Sequence, residues 1–517
     1  MKINPLFLCD FYKTGHIRQY PEGTTEVYSN FTPRSNKYAY KDSKEIVVFG
    51  IQYLVKEYLV DLWTEGFFDR PKEEMLEEYK SLMDRCLGPD SIPVDHIAEL
   101  HDLGYLPIHM KALPEGTLCP IGVPCLTIKN TKPKFFWLTN YLETLFSNIL
   151  WKPMTSATTA HMYRKEFERH AEKTGSPKDF IGWQGHDFSF RGMSGIEDAC
   201  MSGGGHLLSF NGTDTVPAIK WLEQYYPSDE LIGGSVPATE HSVMSMGTEY
   251  ITMDDGTKIP NEFKSFKRLI TELYPTGIIS IVSDTFDFWK AMTEYLPRLK
   301  DKILARDGRV VIRPDSGDPA DIICGLNGSG TFEESKRYYA SGDDEWCNRD
   351  ITETEYKGAY ELLYDTFGGT VNEQGYKVLN PKVGLIYGDS INYDRQRDIL
   401  ARLEAKGFTA SNLVLGIGSF TYEYVTRDTY GFAMKATHGV VNGEHKDIYK
   451  DPKTDDGLKK SAKGLLMVYR DDKGDIKLKD QCTQAEEQSG LLETVLHDGT
   501  YITESLTTIR KRLNNQL

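Results

Sequence analysis

Four short apolar runs, each followed at once by an acidic or glycine-containing turn, constrain the fold of this chain most strongly. The runs are 278–283 before Asp284, 310–313 before Pro314 and Asp315, 383–387 before Gly388 and Asp389, and 413–415 before the turn 416–419. Runs of this length, with helix-length stretches between some of them, are typical of parallel strands that are buried on both faces. The pattern therefore predicts a β/α fold for this part of the chain.

The residues that follow these runs are the first candidates for a functional site. In parallel sheets the carboxyl ends of the strands lie at one edge, where ligands bind. We therefore expect Asp284, Asp315 and Asp389 on one rim, provided that the strands are neighbours. The glycines of 388–389 and 416–419 would let backbone N–H groups approach a phosphate, although a tight bend explains a glycine turn equally well.

Two further segments show helical periodicity, and a third interrupts the strand pattern. Residues 51–62 and 391–406 place apolar side chains on one face, which predicts helices, the second of them ending at Gly407. Residues 324–378 contain a glycine-rich piece and then an acidic, aromatic piece. We interpret this third segment as an insertion between barrel strands.

Charge and composition exclude several classes of function. The 517 residues carry 60 Lys and Arg against 76 Asp and Glu, a net charge of −16, which argues against nucleic-acid binding and requires any anionic ligand to meet a local basic cluster. No apolar run reaches the roughly 20 residues that span a bilayer, and the apolar stretch at the start is too short for a signal peptide. The eight cysteines form no CxxC pair. We therefore expect a cytoplasmic protein with reduced thiols and no membrane contact.

Three groups of polar residues could carry chemistry. Arg313 and Asp315 could hold a polar ligand from two sides, with the carboxylate facing a sugar or Mg²⁺, or they could form a local salt bridge. A planar heterocycle could stack on Phe188 while Asp214 accepts a hydrogen bond from an amide, although Phe188 alone fits ordinary core packing. His241 is either a hydrogen-bonded core residue or, if a carboxylate such as Asp284 orients it, a nucleophile.

In chain order, the motifs together resemble the nicotinamide phosphoribosyltransferases, a family of type II phosphoribosyltransferases. The matching segments run through nearly the whole chain, at 10–16, 28–34, 186–192, 212–215, 235–242, 283–284, 313–317, 388–389, 426–428, Lys435 and 450–452. The resemblance implies an irregular β/α-barrel domain at 151–414, with the insertion near 324–378. It also implies a mixed α+β domain formed by 1–150 together with 415–517, which contributes to a dimer and to the partner's site.

The resemblance implies a reaction as well as a fold. Nicotinamide and 5-phosphoribosyl-1-pyrophosphate would give nicotinamide mononucleotide and pyrophosphate in NAD salvage, with Mg²⁺ held mainly through the substrate phosphates. ATP would be a co-substrate whose hydrolysis is coupled through a phosphohistidine. The enzyme would be a homodimer with active sites shared between its chains.

Carried over by position, the resemblance assigns roles to single residues. The pyridine ring would lie between Phe188 and Tyr12 of the partner subunit, Asp214 would bind the carboxamide, and Arg313 would contact both that group and the sugar. His241 would be phosphorylated by ATP, with Asp284 as its hydrogen-bond partner. The ribose 5-phosphate would be held by Asp315, Asp389 and the turn of Gly416, Gly418 and Ser419.

The remaining substrate-binding candidates follow from the same resemblance. The pyrophosphate would be surrounded by Arg191 and by cations of the partner chain, namely Arg34, Arg427, Lys435, Lys450 and Lys459. Ser280, Gly388 and Asp10 complete the set. The chain departs from the family pattern where Ser419 and Phe420 follow Gly418 in place of further glycines.

Two other functions fit parts of this pattern. A nicotinate phosphoribosyltransferase would share the fold, but Asp214 would repel the substrate carboxylate. An inactive relative that serves as a binding dimer would be expected to lack key groups, whereas His241, Asp214, Arg313 and Asp315 are all present.

Overall fold

The fold is built around two sheets of different character. A computed structural model describes residues 3–326, 332, 337–342, 345–388, 390–449 and 462–516. The strands of the two sheets, in chain order, are β1 (Thr24–Thr32), β2 (Ile108–Ala112), β3 (Leu126–Asn130), β4 (Gly185–Asp187), β5 (Gly212–Thr213), β6 (Thr276–Val282), β7 (Asp307–Arg313), β8 (Val383–Tyr387), β9 (Leu413–Ile417), β10 (Ala433–Val441), β11 (Glu444–Asp447), β12 (Glu493–His497) and β13 (Thr500–Tyr501).

Six of these strands form a parallel sheet with the order β6-β7-β8-β9-β4-β5. The four apolar runs of the sequence are its members β6 to β9, as predicted. The sheet curls into a half-barrel, and the segment 234–238 spans its opening, because Gly234 bridges to Gly212 on β5 and Ala238 bridges to Ser280 on β6. The predicted fold class, an irregular β/α-barrel with a mixed α+β part, is confirmed.

The other seven strands form an antiparallel sheet with the order β11-β10-β1-β3-β2-β12-β13. Its strands come from both ends of the chain, so N- and C-terminal segments share one sheet. Within the described ranges, five strand pairs lie outside the two sheets, namely Glu45–Val47 with Leu118–Pro120, Glu249–Thr252 with Lys258–Asn261, Arg337–Gly342 with Glu345–Asp350, Gly369–Val371 with Lys377–Leu379, and Leu465–Arg470 with Ile476–Cys482.

Helices cover the sheets and connect their strands. The longer ones are Lys72–Leu87, Asp95–Leu103, Glu143–Thr174, Ile196–His206, Val216–Tyr225, Leu296–Ala305, Glu353–Phe367, Tyr393–Ala405 and Leu506–Asn514. The shorter ones include Phe11–Thr14, His16–Gln19, Leu138–Tyr141, Ile181–Gln184, His241–Met246, Phe263–Arg268, Phe288–Lys290, Pro319–Cys324, Ser419–Tyr422 and Gln484–Gln488. The helix predicted at 51–62 is present as Ile51–Tyr53 followed by a π-helical stretch, Leu54–Asp61.

The helix Glu143–Thr174 joins the two hydrophobic cores. Its first half, including Phe146 and Leu150, packs in the core beneath the antiparallel sheet, and its second half, including Tyr163 and Phe167, packs in the core around the half-barrel. The predicted domain boundary between residues 150 and 151 lies inside this continuous helix, and the domain division stays a prediction.

The segment 324–378, predicted as an insertion, is partly built into the barrel. Its helix Glu353–Phe367 buries Tyr360 and Leu363 in the half-barrel core. The predicted helix at 391–406 is present as Tyr393–Ala405, and the chain then reverses at Gly407, whose φ is +75°. Among the residues that the structure describes, no helix is both long and apolar enough to cross a membrane.

Candidate active site

A cleft of about 720 Å³ opens at the carboxyl edge of the parallel sheet. The register of the sheet pairs the last residues of neighbouring strands, Val282 with Arg313 and Ile417 with Asp187, so the turns that follow start at similar heights. The predicted site residues that line this cleft are Phe188, Arg191, Asp214, His241, Arg313, Asp315, Gly388, Gly418 and Ser419. These side chains and turns come from distant parts of the sequence, and the sheet brings them to one rim.

Asp214 lies at the inner end of the cleft, and one of its oxygens is fully used. Nε2 of His186 lies 2.9 Å from Oδ1, and the hydroxyl of Ser235 donates to the same oxygen at 2.6 Å. Burial alone would raise the pKa of Asp214, but the bonds from His186 and Ser235 and the charge of Arg313 outweigh it, so the pKa lies below its ordinary value. The side chain therefore presents an ionised carboxylate whose Oδ2 has no hydrogen-bond donor among the described residues and remains for a ligand.

Phe188 forms a flat wall beside this carboxylate. Its ring centroid lies 4.6 Å from that of His186. Gly416 lies behind the ring, where a Cβ atom would come within 2.6 Å of Phe188 Cδ2. A glycine at this position therefore leaves room for the aromatic ring, and the predicted contact of Gly416 with the ribose 5-phosphate stays a prediction.

The guanidinium group of Arg313 is fixed by a hydrogen bond from one of its nitrogens to the backbone. Its Nη2 donates to the carbonyl oxygen of Thr239, whereas Nε is buried and has no partner among the described residues. Arg313 is the last residue of β7 and lines the cleft together with Asp214 and Asp315. A guanidinium group fixed in this way presents its positive charge to a ligand that enters from the cleft.

The predicted hydrogen bond between His241 and Asp284 is wrong. Nδ1 of His241 lies 3.1 Å from the hydroxyl of Thr285, and Nε2 lies 4.0 Å from Asp315 Oδ2. Asp284 does not line the cleft, because its Oδ2 accepts hydrogen bonds from Asp315 N at 2.9 Å and from Ser316 Oγ at 2.6 Å. Asp284 therefore orients the turn that carries Asp315.

The outer end of the cleft carries the other polar groups. Arg191 lies on the short turn Phe190–Gly192, opposite Ser419. In the part of the chain that the structure describes, no atom lies within 4 Å of the position where a Cβ of Gly418 would stand, so the backbone of Gly418 is open to the cleft. Gly388 packs closely on Asp315, since a Cβ there would lie 2.9 Å from Asp315 Oδ1. Asp389 lies outside the described residues.

Five predicted site residues lie away from the cleft of their own chain. Tyr12, Asp10, Arg34, Arg427 and Lys435 are all exposed and none of them lines the cleft. Lys435 contacts the carboxylate of Glu143 at 3.2 Å, and Asp10 accepts a hydrogen bond from Thr144 at 2.8 Å. Lys450 and Lys459, the other two predicted cations, lie outside the described residues.

A second cavity of about 390 Å³ continues from the cleft into the half-barrel. Ser280 of β6 lines this inner cavity and not the outer cleft, so it is separated from the predicted phosphate contacts. Phe188, Asp214 and Arg313 line both spaces and mark the junction between them.

Sequence reasoning missed the residues that orient the site. His186 and Ser235 hold Asp214, Thr285 contacts His241, and the carbonyl of Thr239 holds Arg313. The sequence did contain a signal for His186, which stands two positions before Phe188, so that in an extended strand the two side chains point to the same face. Ser235 and Thr239 lie in an irregular segment without a periodic signal.

The fold of this chain, with its parallel half-barrel, is shared with solved structures of other proteins. The fold matches that of a nicotinate-nucleotide pyrophosphorylase from Pyrococcus furiosus with a TM-score of 0.55 at 15% identity, over 98% of this chain and 94% of the other. It also matches human nicotinic acid phosphoribosyltransferase with a TM-score of 0.54 at 14% identity, over 98% and 93% of the two chains. At these identities the matches show the fold alone.

Sequence comparison gives the family. Residues 183–496 match the nicotinate phosphoribosyltransferase (NAPRTase) family, and residues 4–110 match the N-terminal domain of nicotinamide phosphoribosyltransferase. The chain belongs to this family of enzymes. It is 50% identical over 526 residues to a nicotinamide phosphoribosyltransferase of Acinetobacter baylyi, covering 100% of this chain and 98% of that one. A protein of the same name from Xanthomonas campestris pv. campestris is 33% identical, over 90% and 88% of the two chains.

Proposed function

We propose that this enzyme transfers the 5-phosphoribosyl group of 5-phosphoribosyl-1-pyrophosphate to nicotinamide, giving nicotinamide mononucleotide and pyrophosphate. The observation that carries the proposal is the ionised Asp214 at the inner end of the cleft, in a chain that is 50% identical over its whole length to a nicotinamide phosphoribosyltransferase. We also propose that it acts in NAD salvage in the cytoplasm.

The cleft suggests how the ring is placed for the reaction. Phe188 would stack on the pyridine, and Oδ2 of Asp214 would accept a hydrogen bond from the carboxamide N–H, which leaves the ring nitrogen directed at the sugar. The nitrogen lone pair forms the bond to C1 as the bond from C1 to the pyrophosphate oxygen breaks. Asp315 at the rim would favour the positive charge that develops on the ribose.

Pyrophosphate leaves with its negative charge, which requires cations at the outer end of the cleft. Arg191 is the cation that this chain's own cleft supplies there. Among the described residues, no three His, Cys, Asp or Glu side chains converge to hold a metal ion. We therefore propose that Mg²⁺ is held mainly by the substrate phosphates, with the exposed carboxylate of Asp315 as its protein contact, and that it neutralises the leaving group.

A second chain would complete the site. The exposed Tyr12, Arg34, Arg427 and Lys435 lie outside the cleft of their own chain, which supports a homodimer in which they reach the partner's cleft. Tyr12 would then cover the free face of the pyridine, and the cations would surround the pyrophosphate. This arrangement concentrates positive charge where a chain of net charge −16 needs it.

ATP would act through His241, whose side chain is half exposed and lines the cleft. Thr285 occupies Nδ1, so Nε2 is the nitrogen that would attack the terminal phosphorus of ATP, forming an N–P bond as the bond to ADP breaks. Transfer of the phosphoryl group from His241 to water completes ATP hydrolysis. ATP hydrolysis would improve the equilibrium of the synthesis and leave the chemistry of the glycosyl transfer unchanged.

Parallel assays with nicotinamide and with nicotinate test the proposal. We expect a clear preference for nicotinamide, and we expect Asp214→Asn to reduce that preference by at least about tenfold in kcat/KM ratio, equivalent to about 1.4 kcal/mol. The matched control is Asp301→Asn, on the exposed face of the helix Leu296–Ala305, which should leave the ratio unchanged. A preference for nicotinate in the native enzyme, or an unchanged ratio in Asp214→Asn, would contradict the proposal.

A further inference from the structure

A buried lysine lies beneath the outer end of the cleft. Lys152 is in the interior of the helix Glu143–Thr174, and its side chain is only 3% exposed. Its Nζ lies 2.8 Å from the carbonyl oxygen of Tyr422, 3.0 Å from Asp198 Oδ1 and 3.2 Å from Glu423 Oε2. A buried ammonium is stable only when it is paired and hydrogen-bonded, and this one has three acceptors around it.

Two of the three acceptors belong to the phosphate end of the cleft. Tyr422 and Glu423 lie two and three residues after Phe420, which lines the cleft together with Ser419. The short helix Ser419–Tyr422 ends here, and the backbone N–H of Glu423 donates to the carbonyl of Ser419. The bond from Lys152 to the Tyr422 carbonyl therefore holds the end of the turn that follows β9.

The third acceptor belongs to the opposite wall. Asp198 lies in the first turn of the helix Ile196–His206, and its Oδ2 accepts a hydrogen bond from the backbone N–H of Ser194 at 3.1 Å. The hydroxyl of Ser194 in turn donates to Glu423. Ser194 is three residues after Arg191, so the segment that carries this arginine is bound to the network around Lys152.

The two walls also touch each other directly. A Cβ atom at Gly192 would lie only 2.2 Å from Ser419 Oγ. Because Gly192 follows Arg191 and Ser419 follows Gly418, this contact sets how closely the arginine approaches the open backbone of the turn. Lys152 binds groups on both sides of this contact, namely Asp198 on one side and Tyr422 and Glu423 on the other.

The charges of the network show why a cation is needed at this point. Burial and the neighbouring Glu423 raise the pKa of Asp198, while the ammonium of Lys152 opposes the rise. Burial would also raise the pKa of Glu423, but its bonds to Ser194 and Asp198 and the charge of Lys152 lower it. Without Lys152, two carboxyl groups would face each other beside a site that must receive phosphates.

We propose that Lys152 is a positioning residue for the phosphoribosyl donor: it holds the segment of Arg191 and the turn of Gly418 and Ser419 at the spacing that the phosphates require. Lys152 does not line the cleft, so we expect it to act through these two segments. The inference deepens the proposed function and rests on it. It predicts a defect that is confined to the donor and spares nicotinamide.

The test is Lys152→Met, which keeps a long apolar side chain and removes the ammonium. We expect the KM for 5-phosphoribosyl-1-pyrophosphate to rise at least about tenfold, while the KM for nicotinamide changes by less than about twofold. The matched control is Lys111→Met. Lys111 forms a comparable ion pair with Glu487 at 3.0 Å, both side chains being 11% exposed, but on the antiparallel sheet. It should lose stability without a selective change in the donor KM.

A direct binding measurement separates this inference from the proposed function. Calorimetric titration with 5-phosphoribosyl-1-pyrophosphate and Mg²⁺ should show donor binding to the native enzyme and weaker binding to Lys152→Met. Equal binding to both proteins would overturn the role of Lys152 alone, whereas no binding to the native enzyme would overturn the proposed function and the inference with it. If Lys152→Met does not fold, Glu423→Gln should raise the donor KM selectively, and native donor kinetics in that variant would also overturn the inference.

Discussion

At the scale of the residue, the cleft is prepared by bonds that occupy one atom of a side chain and leave another free. Asp214 uses Oδ1 for two donors and keeps Oδ2. His241 uses Nδ1 for Thr285 and keeps Nε2. Because these contacts exist before a ligand arrives, little reorganisation is required when it binds.

His241→Ala tests the role of the free imidazole nitrogen. The variant should lose ATP hydrolysis that depends on the other substrates, because no Nε2 remains to accept a phosphoryl group, but it should still form nicotinamide mononucleotide slowly without ATP. Product assays with and without ATP, together with detection of phosphohistidine by mass spectrometry of the native enzyme, provide the measurement. Complete loss of ATP-independent synthesis in a folded variant would contradict the auxiliary role.

The identity of most cleft residues could be predicted from the sequence, whereas their partners could not. Phe188, Asp214 and Arg313 stand in motifs whose order along the chain is informative. The choice between Asp284 and Thr285 as the neighbour of His241 depends on which way a turn points after β6, and neighbouring residues of a turn give no periodic signal. The orienting groups therefore required the three-dimensional structure.

At the scale of the element, the end of β9 and the turn that follows it contain two glycines with different roles. Gly416 leaves space for Phe188, and Gly418 exposes the backbone to the cleft. We predict that Gly416→Ala raises the KM for nicotinamide, because the new methyl group must displace the ring at a cost of about 1–3 kcal/mol. Steady-state kinetics with nicotinamide as the varied substrate measure this effect.

Gly418→Ala is the matched control for that variant. It adds the same methyl group two residues later, where no atom of the described residues lies within 4 Å. Phe188 should therefore stay in place, and the KM for nicotinamide should be close to that of the native enzyme. If the two variants gave the same KM for nicotinamide, a methyl group at Gly416 would not displace the ring of Phe188, and the prediction would be contradicted.

The elements that escaped prediction are the short ones. β4 and β5 have three and two residues, too few to show an alternating pattern, yet they bring Phe188 and Asp214 to the rim. The longer strands β6 to β9 were predicted because they are buried on both faces and read as continuous apolar runs. The length of each strand therefore decided whether the sequence could predict that strand of the barrel.

At the scale of the whole molecule, the distribution of charge matters more than its sum. A protein with a net charge of −16 can bind a highly phosphorylated substrate only where its cations are gathered. Arg191 is present in the cleft, while Arg34, Arg427 and Lys435 are exposed elsewhere on the same chain. In the proposed homodimer, the partner's cations complete the charge of each cleft.

Complementation between two defective chains tests this central claim most directly. Arg313→Ala damages the cleft and Arg427→Ala damages the group of cations offered to the partner, so each homodimer should be nearly inactive. A heterodimer purified through two different tags should contain one intact site and recover about half of the native activity, as two-fold symmetry requires. A heterodimer no more active than its parents, or a protein that stays monomeric while fully active, would contradict the shared site.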